Sequence, residues 1–268
     1  MSVALIDGDI IAFRAAAVGQ RTIDWDGDGS VVTDVSEDQA IRAALEGVEA
    51  WRKGARADTA IVCLSDRSVS MSSFRYAIHP YYKRNRTGEK PVAYNAAVEA
   101  LCQEYKSIIM PRLEADDVMG IWGTNGKLDA PVIVSADKDM LTVPGRVFIP
   151  QKMLKPMNIR KHTAMLNWMK QTLTGDSTDG YKGCPGIGPK KAEALLSEGD
   201  TTTLESTWEI VWKAFESKGK TLDEAIAEAR CARILKHNDY NAATGEIRLW
   251  HPTQTIWKLA TSLPTPVA

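Results

Sequence analysis

Acidic residues stand directly after three short apolar segments of the sequence. The segments and their acids are Val3–Ile6 with Asp7, Thr59–Leu64 with Asp66, and Val132–Ser135 with Asp137 and Asp139. Apolar, β-branched runs of this length are typical of buried strands, and strand ends border the ligand crevice of an α/β fold. Because hard cations prefer carboxylate oxygens, these acids predict a cation site at one sheet edge. For Asp7 alone, capping of the following helix is an open alternative.

Three further acids crowd into one turn of the segment LEADDVM, residues 113–119: Glu114, Asp116 and Asp117. Like charges three or four positions apart destabilise a helix, although a helix start attracts carboxylates through its dipole. A charged helix face explains one of these acids, whereas shared cations explain all three. Together with the strand-end acids they favour Mg²⁺ or Mn²⁺ over zinc, because neither histidine nor cysteine accompanies them.

A glycine-rich stretch, Gly175–Leu196, joins another acidic pair to a basic helix start. Asp176 and Asp179 lie three positions apart and can face one cation. Three glycines follow that let the backbone approach a phosphate closely, namely Gly183, Gly186 and Gly188. Free amides at the helix start would hold an anion. The stretch predicts a place where chemistry and nucleic-acid binding meet.

The same glycines must be compared with two other phosphate-binding motifs, and both are excluded. A P-loop requires Lys directly after the last glycine, where this sequence has Pro189. A dinucleotide fingerprint requires a third glycine at the position of Lys191. Pro189 suits the first turn of a helix, and Lys190 and Lys191 add positive charge there. A plain helix connector is the alternative for the glycines taken alone.

The segment FRYAIHPYYKRNRTGEKP, residues 74–91, is basic and aromatic, with few apolar positions to bury. The chain has a formal net charge of −1, so a nucleic-acid contact would need positive charge gathered locally. This segment supplies it with Lys83, Arg84, Arg86 and Lys90. An exposed nucleic-acid contact and a solvated basic loop are both open at this point.

Composition excludes several classes of protein. The 268 residues, 44% of them hydrophobic, suffice for one substantial core with an appended subdomain. No apolar run reaches the length of a membrane span, and no leader pattern opens the sequence, so a soluble cytoplasmic protein is expected. The four cysteines form no C-x-x-C pair and the four histidines no H-E-x-x-H motif, which argues against zinc, disulfide and histidine chemistry.

The elements that must position these residues form an α/β fold, with a mainly parallel sheet and helices on both faces. Residues 1–155 are predicted as an α/β region and residues 156–268 as a helical region of the same integrated domain. Predicted elements are a hairpin turning near 24–29, helices over 36–53, 91–106, 158–172, 204–217 and 222–236, and strands at 147–150 and 247–250. If the backbone stays extended around Asp137 and Asp139, the alternation of side chains places both on one side.

Several of these motifs resemble the 5′-nuclease (flap endonuclease) family. The GD-x-x-D and G-x-x-G-I-G-x-K segments resemble its helix-three-turn-helix, and EADD, S-x-D-x-D and YK-x-x-R resemble its other motifs. The segments DGYKG, ARILKHNDYN and IRLWHP are most similar to the 5′→3′ exonucleases of short-tailed T-odd phages. The resemblance covers nearly the whole chain and implies a PIN-like 5′-nuclease fold. It also implies that residues 1–155 are the catalytic region, with a basic arch at about 75–106, and that residues 156–268 are the DNA-binding region.

The resemblance also implies roles for individual residues. It implies two divalent ions, Mg²⁺ or a substituting Mn²⁺, the first held by Asp7, Asp66, Glu114 and Asp116, the second by Asp137, Asp139, Asp176 and Asp179, with Asp117 shared or behind them. Lys83 and Arg86 would contact the scissile phosphate, and Tyr82 would stack on a frayed terminal base. The DNA contacts would be Arg84, Lys182, Gly183, Gly186, Gly188, Lys190 and Lys191. A monovalent cation would bind in the turn at residues 183–188, which we call the glycine turn.

The expected function is metal-dependent 5′→3′ hydrolysis of duplex DNA from 5′ ends or nicks, with flaps and RNA–DNA hybrids as further substrates. The expected protein is a monomer in the cytoplasm, that of the host cell if a phage encodes it, without a membrane partner. A non-catalytic duplex-binding module would explain the glycine turn but not the strand-end acids. A PIN-type RNA nuclease would explain the acids but would lack the glycine turn.

Overall fold

The structure is a computed structural model that describes residues 1–24, 31–68, 73–86 and 88–253. These residues group into two compact units. Unit 1 contains residues 1–74, 86–161 and 234–238, and unit 2 contains 75–85, 162–233 and the described residues from 239 onward. The division falls near the predicted boundary at 155, but residues 75–85 belong to unit 2 and residues 234–238 return to unit 1.

Unit 1 is built on a sheet of β1 (Val3–Asp7), β4 (Thr59–Leu64), β5 (Ser107–Ile109), β6 (Val132–Val134), β7 (Gly145–Phe148) and β8 (Met157–Ile159). Within the described residues the strand order is β5-β4-β1-β6-β7-β8, and every neighbouring pair is parallel except β7 and β8. Strands β4 and β5 lie on one side of β1, and the later strands β6, β7 and β8 lie on the other side. The strand order therefore reverses between β1 and β6. In open α/β sheets this switch point is where ligands bind.

The remaining strands form two small antiparallel ladders, β2 (Gln20–Asp24) with β3 (Val31–Val35), and β9 (Tyr240–Asn241) with β10 (Glu246–Ile247). The first ladder confirms the predicted hairpin, although its turn at residues 25–30 lies outside the described residues. The second contains the start of the predicted C-terminal strand.

Helices of unit 1 occupy both faces of its sheet, as predicted. In chain order, the helices of the described residues are α1 (Gly8–Val18), α2 (Glu37–Gly54), α3 (Arg75–Ile78), α4 (Tyr94–Glu104), α5 (Ala115–Thr124), α6 (Lys161–Thr174), α7 (Pro189–Glu198), α8 (Leu204–Glu216) and α9 (Leu222–Ala232), with 3₁₀ turns at Lys138–Thr142 and His237–Asp239. Ser36 caps α2, near the start predicted for this helix, by accepting a hydrogen bond from Gln39 N. Across the described ranges, no helix has the length and apolarity that a membrane crossing requires.

The alternation of strand side chains decides which helices cover which face. Ala4, Ile6 and Val134 pack with α1, α2 and α4 in one core cluster. Leu5 and Ile133 point to the other face, where Gly123 of α5 lies against both of them. The buried residues of α4 belong to the first cluster, so the predicted arch cannot extend through α4: that helix is part of the core.

Three other element predictions are wrong in detail. Met157–Ile159 is an edge strand antiparallel to β7, whereas a helix was expected from residue 158; the helix starts at Lys161 instead. The backbone after Asp137 is a 3₁₀ turn rather than an extended segment. Helix α9 ends at Ala232, because residues 234–238 leave the helical unit for unit 1.

Unit 2 packs its helices around a cluster rich in tryptophan. The rings of Trp168 and Trp208 each meet Trp250 edge to face, at centroid distances of 5.0 and 4.9 Å. Arg233 stacks on Trp168 at 4.6 Å. Trp208 and the partly buried Trp212 belong to this core, as their helical spacing predicts.

Candidate active site

The switch point of the sheet carries acidic side chains at the ends of β1 and β6. Asp7 caps α1 by accepting a hydrogen bond from Ile10 N at 3.0 Å, and it accepts a second from Ser135 Oγ at 2.7 Å. Ser135 Oγ also accepts a hydrogen bond from Asp137 N at 3.0 Å. One hydroxyl therefore connects two of the predicted metal ligands, and Asp7 is both a helix cap and a strand-end acid.

Asp7 is held in an electrostatically unfavourable position. Its side chain is almost fully buried, at 2% exposure. Burial raises the pKa of the Asp7 carboxyl to about 7, and the charges of Asp9 and Asp137 add to this, while the hydrogen bonds from Ile10 and Ser135 oppose it. A cation next to Asp7 would lower this pKa, because an opposite charge nearby favours the ionised carboxylate.

Asp9, whose role the sequence leaves open, is fixed by two neighbours. Its carboxylate accepts hydrogen bonds from Ser65 N at 3.1 Å and from the Tyr94 hydroxyl at 3.0 Å. Burial and the charge of Asp9 raise the pKa of the Tyr94 hydroxyl, so the hydroxyl stays a donor. No motif identified Tyr94 in the sequence.

Asp66 and Glu114 lie at the ends of neighbouring segments in unit 1. Asp66 accepts hydrogen bonds from Ser68 N at 2.9 Å and Arg112 N at 2.8 Å, and the pKa of its carboxyl is lowered, chiefly by the Arg112 amide. Glu114 stands at the N-cap of α5 and accepts a hydrogen bond from Ser73 Oγ at 3.3 Å. These contacts hold both side chains at the carboxyl edge, and the lowered pKa keeps Asp66 ionised.

Asp116 and Asp117 have different surroundings in the first turn of α5. Asp116 is half-buried. Asp117 has no exposed surface, and its Oδ1 accepts a hydrogen bond from Leu235 N at 3.0 Å. Two roles were expected for Asp117, sharing an ion or supporting the ligands from behind, and this contact favours the second.

Asp137 and Asp139 are joined by a local turn. Asp137 caps the 3₁₀ turn and accepts a hydrogen bond from Asp139 N at 2.8 Å. The expectation of an extended backbone is therefore wrong, because an aspartate side chain can satisfy an amide two residues on and bend the chain. Both carboxylates are half-buried.

In unit 2, Asp176 and Asp179 occupy a tight loop. Asp176 Oδ1 accepts hydrogen bonds from Thr178 N at 2.7 Å and Asp179 N at 3.3 Å. Lys83 lies beside this loop: its amide donates to Asp179 O at 2.7 Å, and its Nζ is 3.8 Å from Asp179 Oδ2. The loop thus orients the predicted catalytic lysine.

The position of Tyr82 contradicts the prediction that its ring stacks on a terminal base. Its ring is 2% exposed and belongs to the core cluster of unit 2, and its hydroxyl donates to Asp179 Oδ2 at 3.2 Å. A ring with so little surface cannot stack on a terminal base, so Tyr82 supports Asp179 and Lys83 instead. The basic residues around it hid this burial in the sequence. Arg84 and Arg86 are exposed, as a nucleic-acid contact requires.

Gly183 also differs from its predicted role. It has φ +66°, its amide donates to Glu228 Oε2 at 2.9 Å, and a Cβ there would collide with the backbone of Gly175. Its amide is therefore occupied by Glu228 and it packs against the end of α6, so it shapes the turn rather than contacting DNA. Glu228, on α9, had no recognisable signal in the sequence.

The exposed part of the glycine turn lies further along. A Cβ at Gly186 or Gly188 would meet nothing within 4 Å, and Gly188 caps α7 with Pro189 in the first turn, as predicted. Lys182 and Lys190 are exposed, whereas Lys191 reaches back to donate to Gly186 O at 3.2 Å. These residues keep the open backbone that an anion contact needs.

The spacing of the acidic side chains bears on whether they can share a cation. Among the described residues, no three Asp, Glu, His or Cys side chains are gathered closely enough to hold a metal ion. Amides and hydroxyls hold several of the carboxylates instead. The donor set still fits a hard divalent ion, because it consists of carboxylates alone and the repulsion around Asp7 is of the kind that a cation relieves.

The fold and the acidic strand ends define a class of protein, and comparison with known families agrees. The family model described as "5'-3' exonuclease, N-terminal resolvase-like domain" matches residues 2–168. The chain belongs to the 5′-3′ exonuclease family, and it is a nuclease. This confirms the resemblance identified in the sequence and the predicted fold class.

Two phage proteins are similar over most of their length. The chain is 29% identical to the exodeoxyribonuclease of Enterobacteria phage T3 over 283 residues, covering 92% of each, and 30% identical to the exonuclease of Escherichia phage T7 over 282 residues, covering 92% of this chain and 93% of the other.

Among solved structures, the bacteriophage T5 D15 protein with metal ions matches with a TM-score of 0.60 at 15% identity, covering 85% of this chain and 88% of that one. The T5 D15 flap endonuclease with DNA and metal ions matches with a TM-score of 0.58 at 15% identity, covering 86% and 91%. At such identity the structural likeness is one of fold.

Proposed function

We propose that this protein is a divalent-metal-dependent 5′→3′ exodeoxyribonuclease that hydrolyses duplex DNA from 5′ ends or nicks. The observation that carries the proposal is the buried Asp7 at the switch point, whose pKa is raised to about 7 by burial and by the neighbouring Asp9 and Asp137. A cluster of acids is kept together there at an energetic cost. The names of the T3 and T7 relatives support the reaction class.

Two Mg²⁺ ions, or Mn²⁺ in their place, would be held by the predicted carboxylates. The first set is Asp7, Asp66, Glu114 and Asp116, and the second is Asp137, Asp139, Asp176 and Asp179. When bound, such ions supply Lewis acidity and neutralise phosphoryl charge. The chain contributes Lys83 and Arg86, whose positive charges would stabilise the charge that develops on the phosphoryl oxygens.

The exposed part of the glycine turn would bind the duplex backbone. Gly186 and Gly188 offer open backbone, and Lys182, Lys190, Lys191 and Arg84 supply charge, with a monovalent cation held in the turn. The T5 relative is a flap endonuclease complexed with DNA, which supports flaps as further substrates, and RNA–DNA hybrids complete the proposed set. The enzyme would act as a monomer in the host-cell cytoplasm, and the phage origin of its T3 and T7 relatives supports that location.

A panel of end-labelled substrates tests the proposal: blunt duplex, nicked duplex, 5′ flap, RNA–DNA hybrid and single-stranded RNA, each with Mg²⁺ or excess chelator. We expect Mg²⁺-dependent cutting of the duplex substrates and none in chelator. Binding of the duplex without cutting under any condition would instead support a duplex-binding module. Cutting confined to single-stranded RNA would support a PIN-type RNA nuclease.

The contribution of the turn is tested with Lys190→Ala combined with Lys191→Ala. The slope of log affinity against log salt should fall by about 0.9 for each phosphate that the variant no longer neutralises. Affinity is measured on a blocked duplex in Ca²⁺. An unchanged slope would mean that the glycine turn does not bind the phosphate backbone of the duplex.

A further inference from the structure

Two cations lie over one buried aromatic ring at the carboxyl edge of unit 1. The ring of Tyr94 is 3% exposed. Arg67 Cζ lies 4.8 Å and Lys90 Nζ lies 4.1 Å from the centroid of that ring. The Tyr94 hydroxyl donates to Asp9 Oδ1 at 3.0 Å. The ring therefore holds two positive groups next to the acid that follows β1.

Neither cation is paired with a carboxylate in the part of the chain that the structure describes. Among the described residues, Arg67 and Lys90 form no ion pair with an acidic side chain, and the guanidinium of Arg67 donates a long hydrogen bond of 3.4 Å to the Asn95 side chain. Desolvation and the charge of Arg67 lower the pKa of Lys90, while Asp9 raises it. Asp9 is already engaged by Ser65 N and the Tyr94 hydroxyl. Two cations therefore lie over one ring, beside a carboxylate that already accepts two hydrogen bonds.

The position of the group connects it to the acidic edge. Arg67 directly follows Asp66, and Asp9 stands two residues after Asp7. β1 and β4, which precede these residues, are parallel neighbours, so both pairs lie at the same edge of the sheet. A cation–π contact holds a long basic side chain over an aromatic ring, and a guanidinium presents a planar fork that matches phosphate oxygens.

We propose that Arg67 and Lys90 form an anion subsite for a backbone phosphate of the DNA strand being cut, adjacent to the phosphate that is hydrolysed. Tyr94 is the positioning residue: its ring holds both cations, and its hydroxyl fixes the ring to Asp9. The proposal rests on the proposed function and deepens it, because it assigns a second phosphate contact to unit 1, apart from the glycine turn in unit 2.

The test compares Arg67→Ala/Lys90→Ala with a matched control, Arg42→Ala/Lys53→Ala, which removes two exposed cations from α2. Affinity for a blocked duplex in Ca²⁺ is measured against salt concentration, together with a thermal melt of each variant. The site variant should bind about tenfold or more weakly, and its salt slope should fall by about 0.9 for each phosphate released. The control should keep the wild-type slope. Arg67→Gln/Lys90→Gln repeats the test with polar side chains if the alanine variant melts early.

A second measurement locates the phosphate. Single methylphosphonates, which are neutral, are placed one at a time near the 5′ end of the strand being cut. In the wild type, one position should weaken binding, and in the site variant the same substitution should have no further effect.

The outcomes separate the subsite from the proposed function. Wild-type cleavage of the unblocked duplex in Mg²⁺ is followed in parallel, and its absence would refute the nuclease function itself. If the wild type cuts, but the site variant retains both the salt slope and the methylphosphonate response, the subsite does not exist while the function stands.

Discussion

Asp7 illustrates how one residue can serve structure and chemistry together. Its carboxylate caps α1 through Ile10 N and accepts a hydrogen bond from Ser135 Oγ, yet its burial beside Asp9 and Asp137 disfavours ionisation. The sequence predicted an acid at this strand end and left a cap as the alternative. The structure shows that the two interpretations do not compete.

Replacing Asp7 with Asn should stabilise the protein in chelator at neutral to alkaline pH. The folded pKa, about 7, lies above the ordinary value of 3.8, so the folded state binds the proton more tightly than the unfolded state. Stability then falls as pH rises from about 4 to about 7, and the full penalty, up to roughly 4 kcal/mol, is present above that range. Asp7→Asn removes the penalty and keeps a capping side chain.

Urea unfolding in chelator at about pH 5 and about pH 8 measures this effect. The gain from Asp7→Asn should be larger at the higher pH, and Asp34→Asn, at an exposed position on β3, should show no such trend. A gain that is equal at both pH values would mean that Asp7 is not strained by its neighbours.

Lys83→Ala should lower turnover more than duplex affinity. The ammonium of Lys83 lies 3.8 Å from Asp179 Oδ2, and a contact formed mainly with the developing phosphoryl charge affects the chemical step. Lys182→Ala, which removes an exposed cation, should instead weaken binding. Single-turnover rates and affinities for both variants check this difference. A rise in KM with unchanged kcat in Lys83→Ala would reassign Lys83 to ordinary binding.

At the scale of elements, the glycine turn divides into a packed half and an open half. Gly183 presses against Gly175 and donates to Glu228, whereas Gly186 faces open space. The spacing of the glycines predicted the turn and the start of α7. It could not tell these halves apart, because the difference depends on α6 and α9, which contact the turn from elsewhere in the sequence.

Gly183→Ala and Gly186→Ala separate the two halves experimentally. Both glycines have positive φ, +66° and +73°, so each substitution costs about 1–2 kcal/mol from backbone strain. Gly183→Ala adds a collision with backbone atoms of Gly175 and should cost several kcal/mol in total. Denaturant unfolding of the two variants gives the comparison. Equal decreases in stability would show that Gly183 is not packed as described.

Local patterns predicted most elements, and tertiary contacts explain the failures. The apolar runs before Asp7 and Asp66 gave their strands correctly. The edge strand Met157–Ile159 is only three residues long, too short for its alternation to stand out, and it is held by pairing with β7. Tyr82 was misplaced for a similar reason: its neighbours in sequence are basic, but its ring fills the core of unit 2.

For the whole molecule, topology explains why acids distant in sequence belong together in unit 1. Strands β1, β4 and β6 are parallel neighbours, so the acids that follow them reach one edge, and the strand order reverses between β1 and β6. The acidic spacing predicted this edge. The anchoring of Asp117 to Leu235 could not be predicted, because it depends on residues 234–238 returning to unit 1.

The central claim, a metal-dependent nuclease that proceeds from 5′ ends, is tested most directly by the order in which labels leave a duplex. Identical blunt duplexes carry a label at either the 5′ or the 3′ terminus of one strand, and release is followed in Mg²⁺ and in excess chelator. The account predicts immediate release of the 5′ label in Mg²⁺, progressive shortening of the 3′-labelled strand, and no release in chelator. Earlier release of the 3′ label, or undiminished release in chelator, would contradict it.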